Sequence, residues 1–217
     1  MRFDVGSHGK TSGAVYRAAE PIGATFILAH GAGTSRTHPL VVDLAKRIAA
    51  LGVDVFTFNF LYSEAGRRLP DRPEVLEACW IAAIAKIRAR TGLESSPLFI
   101  GGRSMGGRFA TRIASLKEGL VLDGVVCIGY PLHPNGKPQV VRDEILSVDV
   151  PLIVVQGTKD ELGSAVEMKK FLARRANMRV HPIEGADHSF GKVEHLEQAA
   201  GIISRFIARR VVRGSRR

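Results

Sequence analysis

Three residues of this chain have the types and spacing needed for covalent nucleophilic chemistry. Ser104 stands in Gly102-Arg103-Ser104-Met105-Gly106, which matches G-x-S-x-G. In that pattern the serine occupies a sharp strand-to-helix turn, and the flanking glycines remove side chains that would collide across it. A neutral hydroxyl is a weak nucleophile and needs an adjacent base. The candidate base is His188, in Gly185-Ala186-Asp187-His188-Ser189-Phe190. A carboxylate that orients the imidazole and stabilises its cation is expected in Gly157-Thr158-Lys159-Asp160-Glu161, with Asp160 preferred and Glu161 the alternative. Asp187 is read as a turn residue. In the order Ser104, Asp160, His188 successive members are 56 and 28 positions apart, room for a strand-helix unit each.

Attack on a carbonyl also needs donors for the developing oxyanion. One is the amide of the residue after the nucleophile, Met105. The second is expected from His30-Gly31-Ala32-Gly33, where Ala32 is the choice and Gly31 the alternative. His30 reads as a structural residue that holds this loop. Gly31, Tyr62 and His133 are the candidate substrate contacts. Each segment alone has a plainer meaning: an incidental serine, a tight turn, a helix cap. Their joint presence, each after an apolar run, favours the chemical reading.

The elements that must position these groups are short apolar runs alternating with longer amphipathic ones, the pattern of an α/β fold with a mainly parallel sheet. Strands are expected at 14–18, 24–29, 53–58, 97–102, 122–129, 151–157 and 178–183. The unbroken apolar run Ala24-Thr25-Phe26-Ile27-Leu28-Ala29 suits a strand covered on both faces. Leu40, Val41, Leu44, Ile48 and Leu51 recur at helical spacing, and Gly52 stops them. Further helices are expected from Pro73 to Ile87 with Thr91-Gly92 closing it, from Ser104 to Leu116, over 163–176, and from Val193 to Val212. Residues 62–72 read as a polar, arginine-rich loop.

The 217 residues suit one domain, 1–208, followed by a basic tail, 209–217. Apolar residues at 45% and charged residues at 24% are ordinary for a globular protein. No run approaches the roughly 20 apolar residues of a membrane span. Met1 to Gly6 lacks the apolar core of a signal peptide, so the cytoplasm is the expected compartment. Cys79 and Cys127 read as buried small hydrophobes. Of the net charge of +10, six charges come from arginines between Arg205 and Arg217. That distribution argues against a basic nucleic-acid groove. It reads as a frayed, solvated end, with weak attachment to RNA, DNA or anionic lipid as the sharper alternative.

The four segments together resemble the α/β-hydrolase superfamily, from about residue 14 to 210. Leu28 to Gly33, Gly101 to Gly106 and Tyr130-Pro131-Leu132-His133-Pro134 resemble a narrower branch. That branch includes a testis-expressed protein and a subunit of a histone-acetyltransferase complex, and is similar to dienelactone hydrolases. Dienelactone hydrolases proper use a cysteine where this chain has Ser104. The resemblance implies an α/β-hydrolase fold of about six to seven strands with helices on both faces. It implies a Ser104, Asp160, His188 triad but no particular substrate; the residues themselves point to hydrolysis of a small-molecule carboxylic ester or thioester through an acyl-enzyme. Such chemistry needs no metal and no organic cofactor. The alternative is a catalytically silent interaction domain on the same fold. The connection from Pro131 to Val150 is too short for a cap domain, so the site should be open, roofed by loops 34–39, 62–72 and 131–142. Arg67 and Arg68 in the second loop read as solvated loop residues, with contact to an acidic substrate as the sharper alternative. Nothing in the sequence specifies an oligomeric state.

Overall fold

A computed structural model of the protein describes residues 1–90, 96–116 and 119–214. Eight strands form one sheet: β1 (Arg2–Asp4), β2 (Lys10–Tyr16), β3 (Thr25–Ala29), β4 (Asp54–Phe58), β5 (Leu98–Arg103), β6 (Gly124–Ile128), β7 (Leu152–Gly157) and β8 (Met178–Ile183). Their order is β1-β2-β4-β3-β5-β6-β7-β8. β1 pairs antiparallel with β2, and β2 antiparallel with β4. Every other pairing is parallel. Among the described residues six α-helices accompany them: α1 (Pro39–Ala50), α2 (Leu61–Glu64), α3 (Pro73–Arg88), α4 (Met105–Ser115), α5 (Ala165–Phe171) and α6 (Val193–Gly214).

The unbroken apolar runs are the central strands. Every residue of β3, β4, β6 and β7 is buried, because helices cover both faces of a parallel sheet. One core lies under α3, α4 and α5, with Trp80, Phe109 and Met168 among its members. The other lies under α1 and α6, with Leu44, Phe190 and Ile203.

The sheet has one strand more than the six or seven expected. β1 escapes a pattern search because it is three residues long with only Phe3 buried. β2 begins at Lys10, four residues before the expected strand, and ends at Tyr16. Its inward residues are Thr11 and Gly13, which carry no apolar signal. The loop read at 62–72 begins inside a short helix, α2. The expected stop at Thr91-Gly92 lies outside the described residues. Residues 209–214 continue α6 rather than forming a separate tail, and 215–217 lie outside the described residues. No helix among the described residues is long and apolar enough to cross a membrane. Cys79 and Cys127 are both free and buried. Burial pushes the Cys79 thiol up to about 12 and the Cys127 thiol higher still.

Candidate active site

The site forms at the C-terminal ends of the parallel strands, where the loops after β3, β5, β7 and β8 converge. Between β5 and α4 the chain turns on Ser104, whose φ of 50° and ψ of −116° are rare for a side-chain-bearing residue. The turn is tight enough to explain both flanking glycines. A Cβ on Gly102 would lie 2.4 Å from the Ala29 carbonyl oxygen, and one on Gly106 would lie 2.7 Å from the Ala29 and His30 oxygens. Ser104 is the N-cap of α4, so its side chain lies at the positive end of that helix.

Ser104 Oγ lies 2.9 Å from His188 Nε2. His188 Nδ1 lies 2.9 and 3.0 Å from the two carboxylate oxygens of Asp160. Asp160 is buried, and two further groups hold it. The Leu162 amide donates to Oδ1 at 2.9 Å, and the Gln156 side-chain amide donates to Oδ2 at 3.0 Å. Gln156, wholly buried on β7, also donates to the Tyr130 and Gly163 carbonyls and accepts from the Tyr130 amide. It therefore fixes the acid against the loop after β6. Glu161, the alternative acid, is exposed. Asp187 is exposed and accepts from the amide and hydroxyl of Ser189, as a turn residue does.

The loop after β3 is held from beneath. Tyr62 donates to the Gly31 carbonyl at 3.2 Å, and Thr34 donates to it at 2.9 Å. His30 Nδ1 lies 2.8 Å from the same oxygen, while His30 Nε2 accepts from the Phe60 amide at 3.2 Å. That pair of contacts requires a neutral imidazole with its proton on Nδ1. Burial drives the His30 pKa down to about 4, in agreement. With the Gly31 carbonyl tied inward, Ala32 stands exposed at the site. The amides of Ala32 and Met105 make no hydrogen bond within the protein among the described residues.

A cavity of about 390 Å³ opens over Ser104, and Ala32 and Met105 also line it. Pro70 and Asp71 come from the second expected roof loop. Pro131, Pro134, Asn135 and Arg142 come from the third. Loop 34–39 contributes nothing to the lining. Gly31, Tyr62 and His133 do not line this cavity. Tyr62 is fully buried and supports the loop below the site. His133 is nearly buried beside the Pro134 carbonyl. The arginines facing the cavity are Arg108 and Arg142 rather than Arg67 and Arg68. Arg67 is paired with Asp71 at 2.7 Å. Arg108 donates through Nε to Glu144 at 2.9 Å, and Arg142 donates to the Pro131 carbonyl at 3.1 Å. Arg103 was also missed by sequence reasoning. It donates to the His188 carbonyl at 2.8 Å, joining the base's loop to the nucleophile's strand. An arginine or glutamine inside a strand has no spacing signature, so nothing in the sequence flagged Arg103 or Gln156.

This sheet, and a serine turn at its C-terminal edge, define the α/β-hydrolase class. A family described as alpha/beta hydrolase domain matches residues 23–209, and the chain belongs to it. Solved structures of the same fold include an alpha-beta serine hydrolase homologue from Coxiella burnetii, with TM-score 0.77 and 18% identity over 94% of this chain and 95% of that one. A dienelactone hydrolase from Anabaena variabilis superposes with TM-score 0.77 and 20% identity, over 94% of each chain. An a/b serine hydrolase without lid from Xanthomonas campestris does so with TM-score 0.68 and 19% identity, over 98% of this chain and 93% of that one. Among the described residues no separate cap interrupts the fold.

Proposed function

We propose that the protein hydrolyses a small carboxylic ester or thioester with Ser104 as nucleophile. The observation that carries this reading is the continuous hydrogen-bonded line from Ser104 Oγ through His188 to buried Asp160. His188 Nδ1–H donates to Asp160, which leaves Nε2 free to accept the Ser104 proton. Oγ then attacks the carbonyl carbon. The oxyanion is stabilised by the amides of Met105 and Ala32 and by the α4 dipole. Collapse returns the proton from Nε2 to the departing alkoxide or thiolate and leaves an acyl-serine. Water, activated by the same imidazole, releases the carboxylic acid and restores Ser104. The step uses no metal and no organic cofactor. The cavity over Ser104 is open and roofed by loops, which suits a small substrate.

The test is labelling by a fluorophosphonate probe, together with turnover of p-nitrophenyl acetate and an acetyl thioester. Labelling of the native chain and its loss in Ser104→Ala are expected, with turnover falling about 10³-fold or more. Equal turnover by the native chain and the folded variant would overturn the reading and favour a silent interaction domain.

A further inference from the structure

A second cavity, of about 500 Å³, lies between β7, β8 and α6. It opens at the N-terminal ends of the strands, the opposite end of the sheet from Ser104. Arg179, His181, Arg205, Arg209 and Arg210 line it, and no carboxylate does. Two periodicities gather these groups. Arg179 and His181 alternate along β8 and so share one face of the sheet. Arg205 and Arg209 are four apart on α6, stacked on one side of the helix.

Two of the four guanidiniums are anchored, while Arg205 and Arg209 extend from exposed positions on α6. Arg179 donates to the Ala176 and Met178 carbonyls at 2.9 and 2.8 Å. Arg210 sits over the Phe206 ring, 5.5 Å from its centroid. Among the described residues, Arg179, Arg205 and Arg209 form no ion pair. The local field is positive: burial and then Arg205, Arg209 and Lys169 hold the His181 imidazole below its ordinary value. Converging cations repel, and a multiply charged anion between them removes that repulsion. Guanidinium forks match phosphate oxygens in pairs. The volume falls in the range of small-molecule sites, and Ile202 and Phe206 give the wall apolar surface.

We propose that this basin binds a small molecule bearing a diphosphate or triphosphate group, held by Arg179, Arg205 and Arg209. The site is separate from Ser104, so the proposal stands whether or not the chain is an esterase.

Titration calorimetry of the intact chain with inorganic pyrophosphate and with ADP, at constant ionic strength, tests it. Saturable binding of one anion per chain is expected for both. Tighter binding of ADP would assign an organic body to the ligand, and equal binding would assign the inorganic anion; either supports the site. Arg205→Ala with Arg209→Ala should weaken pyrophosphate about tenfold or more, while ester turnover and the melting temperature without ligand stay near those of the native chain. Absence of saturable binding, or equal affinity in the double variant, overturns the proposal. So does binding of a single-stranded RNA oligonucleotide where pyrophosphate and ADP fail, which would make the basin part of a polymer surface.

Discussion

Arg103 does not line the cavity over Ser104, yet it bears on where the proposed base stands. Its bond to the His188 carbonyl ties that loop to the residue preceding Ser104, and its Nε is buried without a partner among the described residues. Displacing an imidazole by a fraction of an ångström weakens proton transfer more than substrate binding. Arg103→Met is therefore expected to lower kcat about tenfold to a hundredfold with a smaller change in KM, and to slow fluorophosphonate labelling in parallel. Arg103→Lys should recover part of the loss, and a melting-temperature change with kcat intact would reduce Arg103 to a purely structural role. His30 makes a prediction of opposite kind. The fold keeps it neutral down to about pH 4, whereas the unfolded chain protonates it near 6.5. The unfolded state thus binds more protons between those values. Stability from this residue is complete above about 6.5 and declines as pH falls towards 4, by a few kcal/mol at most. Urea unfolding at pH 7 and at pH 4.5 should show that decline, and His30→Asn should be weaker at pH 7 but less pH-dependent. The groups that lie in line, Ser104, Asp160 and His188, were legible because each follows an apolar run at a fixed place in the order. Their supports were not, since Gln156, Arg103 and Tyr62 act through contacts made only by folding.

At the level of elements, the β5-turn-α4 unit carries the heaviest constraint. A methyl on Gly102 would meet a backbone oxygen at 2.4 Å, and backbone of the adjoining strand cannot swing aside as a side chain can. Gly102→Ala is expected to cost about 1–3 kcal/mol or more and to lose ester turnover with it. Thermal unfolding of the purified variant measures the first and p-nitrophenyl acetate the second; an unchanged melting temperature would mean that the turn relaxes. This unit was readable because glycine, serine and glycine at two-residue spacing follow an unbroken apolar strand. The parallel strands β3 to β7 were readable for the same reason, as burial on both faces demands continuous apolar sequence. The antiparallel edge was readable only in part, through Ala14 to Tyr16 of β2. β1 buries a single side chain, and β2 turns Thr11 and Gly13 inward, so neither shows the alternation by which half-buried strands are found. Helix α2 is one turn long and hides within a polar stretch for want of length.

Across the whole molecule, the two ends of the sheet have different characters. The C-terminal ends hold the serine, its cavity and roof loops, and the N-terminal ends hold the cationic basin. The six-arginine excess near the C-terminus was visible in the sequence, but the gathering of Arg205, Arg209 and Arg210 at the basin was not, because only the fold sets α6 beside β8. The outermost strands, β1 and β8, close the sheet with little to spare. β1 has three residues, and β8 carries exposed Arg179 and Pro182. An edge strand invites another chain to pair with it, and short length, charge and proline each discourage that. Pro182→Val would restore a donor and a β-branched side chain to the free edge of β8. Light scattering against concentration should then show more association than in the native chain, and equal scattering would mean that the proline does not guard the edge. The two rims thus carry features that discourage pairing as well as closing the fold, and in a crowded solution an imino acid on β8 would leave a second copy of the chain one donor short along that edge.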